Sequence, residues 1–187
     1  MNIYFDTEFT GLHKDTTLIS IGMVADNGKA FYAEFTDYDA SQVNNWITDN
    51  VISKLKFNNS DNFVRRIGNV IEVKGDKEQI REELIEWLAS FDERVQFVSD
   101  VCHYDFVLLI DLIAGHALKL PDFISPTCHD INQDIAIFYN ISELEAFDKN
   151  RENIVNEYFL ACSDDEKHNA LADARVIRHI VEIMSNN

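Results

Sequence analysis

The chain has 187 residues, of which 46% are apolar, and its formal net charge is −17. This length predicts one domain, residues 1–187, with a sizeable core. The charge argues against tight, nonspecific binding to duplex nucleic acid, because such binding depends on basic surface. It does not exclude a short single strand whose phosphate is held through metal ions.

The three cysteines, Cys102, Cys128 and Cys162, are widely spaced and form no CxxC pair. Neither a zinc site nor a disulfide framework is therefore expected, and reduced thiols indicate a cytoplasmic protein. Acidic residues interrupt the N-terminal stretch where a signal peptide would need its apolar core. The most apolar region, 106–120, is too short and too polar to span a membrane, so no membrane partner is expected.

The chain opens with three predicted strands, at 2–6, 18–25 and 30–35, which are joined by short loops and are expected to be antiparallel. Helices and strands then alternate along the chain. Strands are predicted at 95–98 and 123–129. Helical structure is predicted within 43–52, at 76–91 with Asp76 as the N-cap, at 104–118, near 132–139, in part of 142–158, and at 168–184. This order predicts an α/β fold, with a mixed sheet flanked by helices.

Residues 53–73 are polar and are predicted to form a loop. They gather the basic side chains of Lys54, Lys56, Arg65 and Arg66. A solvated loop is the favoured interpretation, and a rim that contacts phosphate is the alternative.

Two carboxylates, Asp6 and Glu8, lie two residues apart in the first strand. Residues i and i+2 of a strand point to the same face, so both acids point one way. Like charges on one face repel, and a divalent cation with a preference for oxygen ligands would neutralise them. From this stretch alone, a metal site and two solvated acids are equally plausible.

Two later segments carry further candidates. Asp105 falls at the start of a predicted helix and is preferred to its neighbour Asp100, because the apolar residues after it would anchor it beside the sheet. His168 and Asp173 are separated by about 140° on an ideal helix, so His168 is expected before the helix or in its first turn. Two alanines flank Asp173 and would let its helix approach the sheet closely.

Taken together, the acids Asp6, Glu8, Asp105 and Asp173 are predicted to hold two divalent ions about 4 Å apart. One ion would activate a water, and both would stabilise charge on a phosphate. His168, with an ordinary pKa near neutrality, is suited to take the proton of that water.

The segments Asp-Thr-Glu-Phe-Thr-Gly-Leu from Asp6, Tyr-Asp-Phe-x-Leu-Leu around Asp105, and His-Asn-Ala-x-x-Asp-Ala from His168 resemble the three motifs of the DEDDh 3′→5′ exonucleases. That group has the ribonuclease H-like fold. The resemblance implies a Mg²⁺- or Mn²⁺-dependent exonuclease with two ions per site, which releases nucleoside 5′-monophosphates from a single-stranded 3′ end. It makes the four acids metal ligands and His168 the general base.

Within that group the chain is most similar to the bacterial RNase AS-type adenosine-specific exoribonucleases, through the hairpin at 18–35, the segment 46–55 and His103-Tyr104-Asp105. This similarity implies a homodimer, RNA as substrate and a preference for adenylate. The resemblance also implies that the 3′-terminal nucleotide is bound by the backbone of the 9–11 segment and the Leu12 side chain. The predicted substrate-binding residues are Phe9, Thr10, Gly11 and Leu12.

Three alternatives remain open: a 3′→5′ exonuclease that acts on DNA, a catalytically silent module that binds nucleic acid or protein, and an acidic metal buffer. The silent module is disfavoured because every ligand position carries a suitable residue. The metal buffer does not explain why His168 accompanies the acids.

Overall fold

The computed structural model describes residues 1–57, 60–158 and 168–186. Seven strands lie within these residues: β1 (Asn2–Phe9), β2 (Leu18–Ala25), β3 (Ala30–Phe35), β4 (Phe63–Ile67), β5 (Val70–Gly75), β6 (Val95–Ser99) and β7 (Ile124–Asp130). The helices are α1 (Asn45–Asn50), α2 (Lys77–Ala89), α3 (His103–Ala114), α4 (Ile131–Tyr139), α5 (Glu143–Phe147), α6 (Arg151–Glu157) and α7 (Ala170–Asn186).

The strands of these residues form one mixed sheet in the order β4-β5-β3-β2-β1-β6-β7. Of the opening strands, β2 lies between β1 and β3 and pairs antiparallel with each, as the sequence predicts. β1 pairs in parallel with β6, and β6 in parallel with β7. The predicted mixed α/β architecture is therefore confirmed, and β1 is a central strand with neighbours on both sides.

Alternation along β1 assigns its side chains to two layers. Ile3 and Phe5 enter the core cluster that is shared with α2 and α3. Tyr4 enters the cluster on the opposite face, together with Ile177 and Ile180 of α7. Since side chains alternate along a strand, Asp6 and Glu8 follow Tyr4 onto the face that α7 covers.

The prediction of a loop over 53–73 was wrong from residue 63 onward, because β4 and β5 form an antiparallel hairpin in which Ile67 pairs with Val70. The exposed strand β4 carries Arg65 and Arg66. These two consecutive charges interrupt the alternation of apolar and polar residues by which a strand is predicted. The helix expected over 104–118 ends earlier, at Ala114. Gly115 adopts the left-handed conformation there, with φ +62°, and closes the helix.

The N-terminal turn of α7 lies directly on the sheet at Gly22 of β2. A Cβ atom built on Gly22 would lie 2.2 Å from the carbonyl carbon of Ala170 and from the backbone nitrogen of Leu171. Ala170 and Ala174 are completely buried. Gly22 is paired with Asp6 across β1 and β2, so the closest approach of α7 to the sheet lies beside Asp6.

We expect Gly22→Ala to destabilise the protein by about 1–3 kcal/mol, since the added methyl group meets backbone that cannot move aside. Gly75→Ala is the matched control, because Gly75 is also a strand glycine and its nearest neighbour is the flexible end of Gln79. The thermal unfolding midpoint measures both effects. Equal midpoints for the two variants would contradict a tight contact at Gly22.

Candidate active site

Three of the predicted ligands meet where α7 covers β1. Asp6, Glu8 and Asp173 each offer a carboxylate oxygen, and these oxygens lie within 4.8 Å of one another. Asp6 and Glu8 share one face of β1, and Asp173 lies in the first turn of α7. The close approach of α7 at Gly22 therefore brings two ends of the chain to one site.

The carboxyl groups of Asp6 and Glu8 in this cluster are buried and close to other acids, and both conditions raise their pKa values. Burial, followed by the charges of Asp173 and Asp105, raises the pKa of the Glu8 carboxyl to about 8. The same causes, together with the Glu8 charge, raise the pKa of the Asp6 carboxyl well above its ordinary value. Full ionisation of the cluster is therefore costly without a cation.

Asp105 lies in the same cavity but outside this close group. Its Oδ1 accepts hydrogen bonds from the backbone N–H of Thr7, at 3.0 Å, and from the Thr7 hydroxyl, at 2.6 Å. β1 pairs with β6 only as far as Tyr4, so the carboxylate takes the N–H of Thr7 where the neighbouring strand has diverged. Burial raises the pKa of Asp105, and it outweighs the opposing effect of the bonds from Thr7.

Asp100, the alternative acid of this region, lines the same cavity but is held in an ion pair with Arg151 of α6. Arg151 Nε lies 2.6 Å from Asp100 Oδ2, and its Nη2 lies 2.9 Å from Oδ1. The other guanidinium bonds go to Ala146 O, Lys149 O and Asn132 Oδ1. Arg151 thus neutralises Asp100 and anchors the loop between α5 and α6.

His168 precedes α7 and has the left-handed backbone conformation, with φ +63°. Its position before the helix agrees with the sequence prediction. Its Nδ1 lies 3.9 Å from Glu8 Oε1, and its side chain is 33% exposed. The ring of Trp46 meets the His168 ring edge-on at 5.3 Å. The imidazole is therefore accessible at the rim of the carboxylate cluster.

A cavity of about 630 Å³ opens over these side chains, and it is lined by all five predicted catalytic residues. Phe9, Gly11 and Leu12 of the predicted substrate-binding segment also line it. Leu12 is 78% exposed at its edge. Phe9 stacks on Tyr104, with ring centroids 5.7 Å apart.

Thr10, the fourth predicted substrate-binding residue, is turned into the protein and is 2% exposed. Its hydroxyl contacts those of Thr16 and Thr17 and donates a hydrogen bond to the Gln42 side chain. Its N–H donates to the carbonyl of Thr17. Thr10 thus holds the loop in place and does not line the cavity.

Sequence reasoning missed three residues that shape the site: Gly22, Trp46 and Arg151. Gly22 gave no local signal, because the helix that lies on it is about 150 positions away in the chain. Trp46 lies in the segment 46–55, which carried part of the family resemblance without a physical role. In the structure Trp46, Ile47 and Val51 form one wall of the cavity.

The donor set fits a hard divalent cation. It consists of carboxylate oxygens, which are the ligands that Mg²⁺ and Mn²⁺ prefer. Burial, and after it the neighbouring acids, raise the pKa values of Asp6 and Glu8, so ionisation of the cluster is unfavourable. A bound cation would favour the ionised carboxylates.

The fold defines a class of protein. Two solved structures match nearly the whole chain: that of S. pombe Pop2p in its Mg²⁺- and Mn²⁺-bound form, and that of the RNase domain of yeast Pop2. The S. pombe structure has a TM-score of 0.62 and 18% identity, over 98% of this chain and 82% of that one. The yeast structure has a TM-score of 0.58 and 14% identity, over 97% and 77%. The chain therefore has the fold of these two structures, and the expected ribonuclease H-like architecture is confirmed.

The family follows from sequence. Residues 1–185 match the family described as the 3′-5′ exoribonuclease Rv2179c-like domain. A 3′-5′ exoribonuclease of Mycobacterium tuberculosis strain H37Rv, Rv2179c, is 30% identical over 134 residues, which are 71% of this chain and 73% of that protein. The corresponding protein of strain CDC 1551 matches to the same extent. The chain belongs to the Rv2179c-like 3′-5′ exoribonuclease family, and the prediction of a 3′-5′ exonuclease is confirmed.

RNA is the substrate class of this family, so the alternatives of a DNA exonuclease, a silent module and a metal buffer lose their support.

Among the helices of the described residues, none combines the length and the apolar character needed to cross a membrane. Cys162 lies outside the described residues, and Cys102 and Cys128 are free thiols.

The crowded acids predict a pH-dependent stability in the absence of divalent metal. Glu8 binds its proton more tightly in the folded state, with a pKa of about 8, than in the unfolded state, near 4.5. The folded state therefore holds more protons between these values, so the free energy of unfolding falls as pH rises from about 4.5 towards 8.

Denaturant titrations of metal-free protein at a series of pH values measure this slope. Glu8→Gln should make the slope shallower, because the amide does not titrate, and the raised pKa of Asp6 accounts for slope that remains. Saturating Mn²⁺ should restore stability at pH 8. A metal-free protein whose stability rises through this range would contradict the assignment of raised pKa values.

Proposed function

We propose that Asp6, Glu8, Asp105 and Asp173 hold two divalent ions, Mg²⁺ or Mn²⁺, for RNA hydrolysis. The observation that carries the proposal is the convergence of Asp6, Glu8 and Asp173 within 4.8 Å. Asp105 lines the same cavity, and both hydrogen bonds from Thr7 go to its Oδ1. The S. pombe Pop2p structure, which has the same fold, is a Mg²⁺- and Mn²⁺-bound form.

When bound, such ions activate a water and stabilise the charge that develops on the phosphate. The chain supplies the proton acceptor. His168 stands at the rim, with Nδ1 3.9 Å from Glu8 and a third of its side chain exposed. The ring of Trp46 packs edge-on against the imidazole from one side. These contacts support the role of His168 as the general base that takes the proton of the attacking water.

The remaining walls suit a terminal nucleotide. Leu12 and Trp46 are exposed apolar side chains at the mouth of the cavity, and Phe9 lies on Tyr104 beside them. Flat apolar surfaces of this kind bind bases by stacking. The 3′-terminal nucleotide would lie between these surfaces and the carboxylates, and the product would be a nucleoside 5′-monophosphate. The adenylate preference that the RNase AS resemblance implies is part of this proposal.

The proposal also includes the remaining expectations from sequence: one exonuclease domain over residues 1–187, a homodimer, and work in the cytoplasm, where cysteines stay reduced. The homodimer rests on the resemblance to the RNase AS type. The match to the family over residues 1–185 supports the single domain.

Stepwise trimming tests the proposed activity directly. Purified protein with Mn²⁺ or Mg²⁺ should shorten a 5′-labelled single-stranded oligoribonucleotide one nucleotide at a time, and chelation should stop the reaction. Oligoadenylate should be shortened faster than oligouridylate of equal length. If no labelled RNA is shortened with either ion, the proposed hydrolysis is wrong. Trimming that continues after thorough chelation would remove the metal ions from it.

Two variants separate the ligand from the base. Asp173→Asn should lose Mn²⁺ binding and nearly all activity, while its metal-free unfolding midpoint holds or rises because a charge leaves the crowded cluster.

His168→Ala should retain Mn²⁺ binding by calorimetry and should turn over roughly a hundredfold more slowly. His179→Ala, further along α7, is the control and should remain active. Equal loss of Mn²⁺ affinity in both site variants would contradict the division of roles.

A further inference from the structure

A second buried acid lies outside the carboxylate cluster. Glu34, on β3, is only 2% exposed. Its Oε1 accepts the hydroxyl of Tyr32, at 2.8 Å, and the N–H of Lys56, at 2.6 Å, while the N–H of Phe57 reaches Oε2 at 3.1 Å. A buried carboxylate is costly unless such bonds compensate it. Nothing in the hydrolysis described above uses Glu34.

Its partner Tyr32 connects this acid to α7. Tyr32 and Glu34 are two residues apart on β3 and share the face that α7 covers. Tyr32 is completely buried and packs in one cluster with Leu171 and Ala174. Its hydroxyl donates to Glu34 and accepts a hydrogen bond from Asn169 Nδ2, at 3.3 Å.

Asn169 organises the start of α7. Its Nδ2 also donates to the carbonyl of Lys54, at 3.4 Å, and its Oδ1 accepts the N–H of Ala172. Its own carbonyl accepts the N–H of Asp173. Asn169 directly follows His168, whose left-handed backbone is an uncommon conformation that must be held by its surroundings.

Glu34 therefore reaches Asn169 by two routes. One runs through the Tyr32 hydroxyl, and the other through segment 54–57, whose N–H groups bind Glu34 and whose Lys54 carbonyl binds Asn169. Both routes start on β3, an interior strand of the sheet. They end one residue from the imidazole that lines the cavity.

We propose that Glu34 and Tyr32 are positioning residues that hold His168 in place through Asn169. The inference rests on the role proposed above for His168 as the base. A small displacement of a catalytic group slows chemistry far more than it weakens binding. The hydroxyl of Tyr32 should therefore matter for kcat and little for KM or for metal affinity.

Tyr32→Phe removes only the hydroxyl through which the direct route from Glu34 to Asn169 runs. We expect kcat for oligoadenylate trimming to fall roughly tenfold, with KM and the Mn²⁺ dissociation constant changed by no more than about twofold. Tyr4→Phe is the matched control: Tyr4 is also a buried sheet tyrosine, and its hydroxyl donates to the carboxylate of Asp26 at 2.9 Å. It should lose comparable stability and keep its kcat. An equal fall in kcat in both variants would overturn the inference.

A double-mutant cycle separates positioning from general damage. If Tyr32 acts through His168, Tyr32→Phe should cause no further fall in kcat when it is added to His168→Ala. A further tenfold fall in that background would mean that Tyr32 does not act through the imidazole, and would overturn the proposal.

Hydrogen exchange gives a measurement that does not depend on activity. The amides of Ala172 and Asp173 bond to Asn169, so they should exchange faster in Tyr32→Phe and not in Tyr4→Phe. If the wild-type protein fails to trim RNA while this change is seen, the proposed hydrolysis fails and the anchoring of α7 stands. If the wild type trims RNA and the exchange is unchanged, the positioning inference fails alone.

Discussion

The candidate active site depends on holding Asp6, Glu8 and Asp173 close together although their carboxylates repel one another. Their oxygens lie within 4.8 Å of one another, and burial together with mutual repulsion raises the pKa values of Asp6 and Glu8. The arrangement persists because α7 is packed on the sheet through Gly22, Ala170 and Ala174, and these contacts cannot be kept if the helix moves away. Packing energy thus holds together acids whose ionisation is unfavourable.

The topology decides where this cluster lies. β1 is antiparallel to β2 along its whole length, whereas its parallel pairing with β6 ends at Tyr4. Beyond that point the sheet opens, and Asp105 takes the N–H of Thr7 that a neighbouring strand would otherwise bind. Ligand sites in sheets of this kind form at the carboxyl ends of parallel strands, where such crevices occur. The site is a consequence of the strand order as much as of the motif residues.

The net charge is −17, and three of the arginines are engaged within the protein. Arg151 uses its guanidinium on Asp100 and three backbone or amide oxygens. Arg65 pairs with Glu72, and Arg66 with Glu83. The site proposed above would bind one terminal nucleotide through metal ions and apolar walls, and such a site does not need the long basic surface that duplex binding requires.

The sequence by itself determined the strands β1 to β3, most of the helices, the face shared by Asp6 and Glu8, and the position of His168 before α7. These follow from local periodicity and from motif spacing, which are properties of neighbouring residues. The sequence did not predict strands β4 and β5, because exposed charged residues such as Arg65 and Arg66 interrupt the alternation of apolar and polar residues. Only the tertiary structure showed that α7 packs against Gly22 and that the side chain of Thr10 is turned into the protein. It also showed the hydrogen bonds between Thr7 and Asp105 and between Asn169 and Tyr32. Each of these contacts joins separate segments of the chain, and no local pattern specifies which of them will meet.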